Sequence, residues 1–309
     1  MTPLVSIVTA SLNAVEHLEQ AIASVAAQSY SRIEHIVVDG GSSDGTVELL
    51  RRYDGRIEWI SEPDRGQSHA INKGFSRARG EIVGWLDADN VYEPGAVAEA
   101  VELFERQPDA GVVYGGVRDV DASGRIVRDY MPPDFTLERF LLYHEFNFMP
   151  PSSTFIRREA LERAGLLDID LHYTMDFDLW LRLGLATNFA RCESFWSRFL
   201  LRDESKTGSQ MARFGWDILK VAENFLARPD LPADIRRKES LVRARMLEHA
   251  ADRIITNDFE NGRKYYAMAL REAPLSASMR LMRTVAYLYY RDSFVGKTYR
   301  GMKRMVSSH

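Results

Sequence analysis

The sequence predicts an α/β chain: a mostly parallel sheet with helices on both faces, followed by a helical C-terminal region. Three observations predict it. Short, near-continuous apolar runs alternate with segments of helical period over the first 120 residues, the pattern of strands buried on both faces. The runs end in acidic or glycine-rich clusters, where such sheets bind ligands beyond their carboxyl edges. After about residue 204 strand-type runs stop and proline-punctuated helical segments take over.

In chain order, Leu4 to Thr9 is a β-branched run long enough for a strand and too short for a helix. Val15, Leu18, Ile22 and Val25 then share one helical face. Ile33 to Val38 is a second buried-type strand, closed by Asp39-Gly40-Gly41-Ser42-Ser43-Asp44-Gly45-Thr46. Strand-like Ile57 to Ile60, a loop at Ser61 to Gly66 and a helix from Gln67 to Arg77 follow. Ile82 to Leu86 is the next strand and ends on Asp87-Ala88-Asp89; Pro94 suits the first turn of the helix after it. Val112 to Arg128 reads as a hairpin turning at Asp121-Ala122-Ser123-Gly124. A Phe, Met and Pro loop (Phe146 to Pro151), a strand at Thr154 to Ile156 and a helix from Asp176 to Ala186 complete this part, with Trp180 in its core. Helices are expected at Met211 to Leu226, Ala233 to Ile255, Glu260 to Glu272 and Ser276 to Tyr290. The expected organisation is residues 1–204 as one domain, with halves of about 1–110 and 111–204, then a helical region, 205–309.

Of 309 residues 45% are hydrophobic and 27% charged, which excludes disordered and collagen-like chains. A single cysteine, Cys192, excludes an intrachain disulfide and a Cys-based zinc site, and is expected to be a buried small hydrophobe. The N-terminus has no basic stretch followed by a long apolar core, and no run approaches the roughly 18–20 apolar residues of a membrane span. A cytoplasmic protein is expected. Residues 1–204 carry 20 basic against 33 acidic side chains, and residues 262–309 carry 10 against 2. The basic, apolar stretch from Arg280 to Arg304 suits peripheral contact with the inner face of an anionic membrane, or a helix docked on acidic protein. The acidic main domain argues against nucleic acid.

Asp-x-Asp occurs four times, at 87/89, 119/121, 168/170 and 176/178, so the spacing alone is weak. Asp87 and Asp89 stand apart because they end a buried strand. Two carboxylates there suit a hard divalent ion that also takes phosphate oxygens; a solvated turn is the alternative. Asp39 also ends a strand, where it can accept from a ribose or base N–H or simply form a Gly/Ser turn. The loop after it is neither Gly-x-Gly-x-x-Gly nor a P-loop, which removes the main support for dehydrogenase and NTPase functions. His69, His144 and His172 are scattered and make no paired metal site; the last two flank the Phe146 loop, a candidate acceptor wall.

Together these segments resemble the inverting glycosyltransferases of family 2. The resemblance is carried by Val5-Ser6-Ile7-Val8-Thr9-Ala10-Ser11-Leu12-Asn13, Gln28-Ser29-Tyr30 and Ile36-Val37-Val38-Asp39-Gly40-Gly41-Ser42-Ser43-Asp44-Gly45-Thr46. It continues through Glu62-Pro63-Asp64-Arg65-Gly66-Gln67 to Gly74, Gly80 to Asp89, and Met175-Asp176-Phe177-Asp178-Leu179-Trp180. It implies a Rossmann-like sheet of the A-type glycosyltransferase fold with a helical C-terminal appendage. By resemblance Thr9 and Asp39 hold the uracil and ribose of a UDP-sugar, with Asp64 or Arg65 closing the pocket. Asp87 sits by the ribose and donor sugar, and Asp89 reaches a Mn²⁺ or Mg²⁺ on the diphosphate. Asp176 matches the catalytic base, and Asp178 orients its helix, contacts the acceptor or is itself the base. Leu12 replaces a common aromatic, and Met175 the usual Glu.

The chemistry is consistent: a positioned carboxylate takes the acceptor hydroxyl's proton while a cation stabilises the leaving diphosphate. The implied acceptor is a glycan or a lipid-linked glycan. The rivals are a nucleotide-sugar-binding scaffold on the same fold and a sugar-1-phosphate nucleotidyltransferase, which would want a basic, glycine-rich loop where Ala10-Ser11-Leu12-Asn13 stands.

Overall fold

A computed structural model describes residues 2–143, 145–201, 210–274, 282 and 284. The chain divides into two compact units at Ser205/Lys206. His144, the expected helix from Ser276 and the basic Arg280–Arg304 stretch lie largely or wholly outside the described residues.

The first unit opens with β1 (Val5–Ser11), α1 (Leu18–Ala26), β2 (Ile33–Asp39), α2 (Thr46–Arg51), β3 (Glu58–Ser61), α3 (Gln67–Arg77) and β4 (Ile82–Trp85). β5 (Val91–Tyr92), α4 (Ala96–Arg106), β6 (Ala110–Val120), β7 (Ile126–Tyr130) and α5 (Leu137–Leu142) follow. β8 (Thr154–Arg157), α6 (Arg158–Ala164), α7 (Met175–Ala186) and β9 (Asn188–Leu200) complete it. The strand order is β3-β2-β1-β4-β8-β6-β9-β5, with β7 on β6. β3, β2, β1 and β4 run parallel, as do β6 and β9. Antiparallel pairing enters at β8, β7 and β5. β8 pairs with residues 112–114 of β6, and β7 takes over the same strand at 117–120.

Alternation along the strands distributes the core. Val5 and Ile7 pack with Ala21 and Val25 of α1 and the apolar face of α4. Val8, on the other face of β1, meets α3, where Gly74 lets helix and strand approach: an added Cβ would stand 2.2 Å from Val8 Cγ1. Trp85 stacks on the buried Trp180 of α7 at 6.1 Å and tilts against Phe75 of α3 at 6.3 Å. These contacts seat α3 and α7 beside the end of β4, where the acidic cluster begins.

Several local expectations need correcting. The strand expected to reach Leu86 ends at Trp85, and the helix after Pro94 starts at Ala96 with Gly95 in left-handed conformation before it. Val15 precedes α1, which begins at Leu18. Cys192 is half-buried rather than buried, its Sγ 3.7 Å from Oε2 of Glu99. The second unit has α8 (Met211–Leu226), α9 (Ala233–Arg237), α10 (Glu239–Ile254) and α11 (Phe259–Glu272). The helix expected over Ala233–Ile255 is therefore two, broken at Lys238, whose φ of −102° and ψ of 12° leave the helical region.

Candidate active site

Register builds one side of the site. Ser11, Asp39 and Ser61 fall opposite one another at the ends of β1, β2 and β3. Asp39 is fully buried. Its Oδ2 accepts from the N–H groups of Gly41 and Ser42 at 3.1 and 2.9 Å and from the Ser61 hydroxyl at 2.6 Å. Its Oδ1 accepts from the Ser42 hydroxyl. Three donors thus share Oδ2 and one meets Oδ1. Asp39 shapes the turn that follows it.

Thr9 departs from expectation in its direction. Its side chain is buried and its Oγ1 lies 3.0 Å from Nε2 of His35, inside the sheet. Burial pushes His35 down to about 4, so the imidazole is neutral at pH 7. Thr9 has no exposed surface, so neither its hydroxyl nor its main chain is open to a nucleotide. Leu12, Gly40 and Asp64 come together at the strand ends: a Cβ on Gly40 would lie 2.5 Å from Asp64 Oδ2 and 3.4 Å from Leu12 Cδ1. Asp64 Oδ1 accepts the Gly66 N–H at 2.7 Å, which fixes the start of α3. Arg65 is exposed beside it, and its N–H donates to Nδ1 of His69 at 3.1 Å.

Two of the predicted carboxylates, Asp87 and Asp176, line the same cleft of about 320 Å³. Asp87 lies two residues past β4, tied there by the Leu86 N–H to Val8 carbonyl bond of 2.9 Å. Gln67 Nε2 donates to its Oδ1 at 2.8 Å, and the buried Asn90 reaches Oδ2 at 3.5 Å. Asp89 is half-buried on the same turn and is not among the cleft-lining residues. No three His, Cys, Asp or Glu side chains among the described residues gather as a cage for a metal ion. A divalent cation that draws its other ligands from diphosphate and water needs no such cage, and an oriented Asp87 with Asp89 nearby fits that requirement.

Asp176 stands in the first turn of α7, half-buried at the cleft. Its Oδ1 accepts the Phe177 N–H at 2.8 Å and its Oδ2 accepts from Asn147 Nδ2 at 2.6 Å. Burial pushes its carboxyl up to about 6, against the opposing pull of these hydrogen bonds. Asp178 differs. Two residues along a helix it points about 200° away, pairs with Arg182 at 2.7 Å and is absent from the cleft. Arg182 also donates to the carbonyls of Ala164 and Gly165 at the end of α6.

The Phe146–Met149 loop lines the same cleft, with Tyr130, Arg128 and Phe199. Asp119, one of the less favoured Asp-x-Asp residues, also lines it, buried and paired with Arg128 at 2.7 Å. Asp121 is a turn residue held by Ser123 and Arg125, and Asp168 accepts the Asp170 N–H within its own loop. His172 is exposed near Gly66, 3.2 Å from where a Cβ there would be, and is not part of the cleft.

The sequence profile of Glycosyl transferase family 2 matches residues 6–165. The chain belongs to this family. An uncharacterized glycosyltransferase of Mycobacterium tuberculosis is 34% identical over 209 residues, 67% of this chain and 76% of that protein. One from Rickettsia prowazekii is 30% identical over 192 residues, 59% of this chain and 58% of its own. Among solved structures, S. aureus TarS 1–349 superposes with a TM-score of 0.69 at 16% identity, covering 96% of this chain and 91% of that one. The same TarS fragment in complex with UDP-GlcNAc gives 0.65 at 17% identity, covering 96% and 92%. The mannosyltransferase PcManGT of Pyrobaculum calidifontis, in complex with GDP-Man and Mn²⁺, gives 0.60 at 18%, covering 98% and 85%. These likenesses establish the A-type glycosyltransferase fold. In this family 2 glycosyltransferase the residues missed from sequence are Gln67, Asn90 and Asn147, amides that hold the two cleft carboxylates. Gln67 lies within a family segment, whereas nothing in the sequence marks the other two.

Proposed function

We propose that the enzyme transfers a sugar, with inversion, from a UDP-sugar to a hydroxyl of a glycan or lipid-linked acceptor, using Asp176 as base. One observation carries this reading: Asp87 and Asp176 line the same cleft, and burial raises the Asp176 carboxyl to about 6. A base with that affinity is ionised at neutral pH and still a competent proton acceptor. A single base on the face opposite the leaving group gives direct displacement; hydrolysis by paired carboxyls would need both flanking the bond.

In this reading Asp87 and Asp89 hold Mn²⁺ or Mg²⁺, with Gln67 and Asn90 orienting Asp87. Such an ion supplies charge stabilisation for the departing diphosphate. Asp39, Asp64 and Arg65 wall the nucleoside, and Leu12 covers it. Asp176 takes the acceptor proton, while the Phe146–Met149 loop excludes water and seats the acceptor. UDP is favoured because TarS is a UDP-GlcNAc complex, although PcManGT holds GDP-Man with Mn²⁺. The ion pair of Asp178 with Arg182 supports a helix-orienting role for it.

The test is a thermal-shift panel of UDP, GDP, TDP and CDP and their sugar conjugates, with and without Mn²⁺. A ligand at 100 times its dissociation constant adds about 2.7 kcal/mol. A metal-dependent shift with one nucleotide is expected, Asp89→Ala should abolish the metal dependence, and Asp39→Ala should weaken nucleotide binding. No shift with any of them would overturn the donor reading. No described helix is long and apolar enough to cross a membrane. For the basic C-terminal stretch, peripheral contact predicts flotation with anionic liposomes that is lost without residues 280–309.

A further inference from the structure

Asn147 sits in the loop between α5 and β8 with φ of +53°, one of two non-glycine residues with positive φ among the described residues. Asparagine is among the few side chains that visit this region. Its Nδ2 donates to Asp176 Oδ2 at 2.6 Å across 29 residues of sequence. Its Oδ1 is buried and has no hydrogen-bond partner among the described residues. An ionised carboxylate can only accept, so the end of the amide facing it is the nitrogen. A left-handed backbone therefore presents an amide with one end engaged and the other held in reserve.

We propose that Asn147 is the positioning residue of Asp176, pairing with the carboxylate as a donor and, after a half-turn of its amide, with the protonated acid as an acceptor. The inference rests on the reading of Asp176 as the base. Before transfer, Nδ2 and the Phe177 N–H hold the two carboxylate oxygens from two sides and fix the plane of the group. As the acceptor oxygen forms its bond to the anomeric carbon, the bond to the diphosphate breaks and the hydroxyl proton passes to the carboxylate. An O–H on Oδ2 would then meet an N–H, two donors facing each other. Rotation about the Asn147 Cβ–Cγ bond replaces Nδ2 by Oδ1, which accepts that O–H. The reverse rotation accompanies loss of the proton to solvent, so atoms and charge balance over a turnover.

The other titratable groups around the cleft are already accounted for in this picture. Asp119 faces it with its partner Arg128, and Asp87 from the turn after β4 is held by Gln67. Tyr130 donates to the Phe148 carbonyl at 3.2 Å, and burial pushes its phenol above its ordinary value. Glu145 lines the cleft from the Asn147 loop itself, and Asp178 on α7 is paired with Arg182.

Two substitutions separate the amide from the loop. Asn147→Gly keeps the positive-φ backbone without strain and deletes the amide. Asn147→Asp keeps the size and places a second carboxylate against the first. Labelling with ¹³C-carbonyl Asp and ¹⁵N Phe selects only the Phe amides after Asp134, Asp176 and Asp258. The Phe177 signal is identified by its absence in Asp176→Asn. Its midpoint in the wild-type chain should fall near 6. In Asn147→Gly it should rise by about one pH unit, the amount by which a hydrogen bond to the carboxylate exceeds one to the neutral acid. In Asn147→Asp the titration should split into two steps, because two adjacent carboxylates share a proton. With the nucleotide sugar chosen by the thermal panel, Asn147→Gly should lower kcat at least tenfold, leave the donor KM unchanged, and move the acid limb of kcat with the NMR midpoint. An unmoved Phe177 midpoint overturns the proposal whatever transfer does. A moved midpoint with full turnover overturns it through the base assignment, a failure that turnover by Asp176→Asn would show independently.

Discussion

The folded-state value of Asp176, about 6, lies above the ordinary carboxyl value of 3.8, so the folded chain prefers the acid form and the unfolded chain gives up its proton first. The Asp176 contribution to stability is therefore present below about pH 4 and lost as pH rises through 6. The difference corresponds to roughly 3 kcal/mol at most. Asp176→Asn should melt higher than wild type at pH 8 and about equally at pH 4, bind nucleotide normally and lose transfer. Wild-type transfer should rise as pH climbs through about 6. His35 acts in the opposite direction. Its value of about 4, set by burial, lies below the ordinary 6.5, so the unfolded chain takes up the proton first as pH falls. That loss reaches about 2 kcal/mol at pH 5. His35→Gln should flatten the wild-type fall in melting temperature between pH 7 and 5. Asp87 and Asp176 were legible in sequence because the one follows an apolar strand and the other opens an apolar helix. Asn147 was not, because its role depends on a backbone angle and on a contact 29 residues away.

At the level of elements, α3 and α7 do the positioning, and each has a single point on which its placement turns. On α3 it is Gly74, pressed against Val8. Gly74→Ala should cost about 1–3 kcal/mol by overpacking, and Val8→Ala in the same chain should return part of it, a non-additivity that thermal melts can read. On α7 it is Arg182, which ties Asp178 to the last carbonyls of α6. Removing it leaves a half-buried carboxylate and two carbonyls without their donor, so Arg182→Ala should cost about 3 kcal/mol or more. Asp178→Asn should be milder and keep transfer. The helices and the parallel strands were readable because their periods are clean. β9 was not: the face carrying Ala190, Cys192 and Trp196 is broken by Ser194 and Arg198, while Phe189 and Phe195 stand on the other face. Register shifts at Tyr114/Gly116 and Gly116/Val117 of β6 change its phase again along its length. β5 has two residues and no period at all.

The molecule as a whole has two units with separate hydrophobic clusters, one around β1, β4 and α4 and another around Leu247, Ala251, Tyr266 and Ala269. Calorimetry should accordingly show unfolding that is not two-state. A bound nucleoside diphosphate should raise the transition belonging to residues 1–205; a transition of that unit left unmoved would count against a donor site in it. The alternation of elements made the class of the first unit legible from sequence. Its strand order was hidden, because β8 enters beside β4 and β9 beside β6 only through contacts distant along the chain.

That strand order has a consequence for how the protein comes into being. Glu93, beside β5, is buried against Arg198 of β9, a partner that leaves the ribosome 105 residues later. β4 likewise waits for β8, more than 70 residues on, before its second edge is paired. The nucleotide-side strands can assemble early, while the wall that carries the base must be built last. Nascent chains that have not yet released β8, Thr154–Arg157, would hold an open sheet edge at β4, the kind of surface that makes slow-folding topologies aggregate.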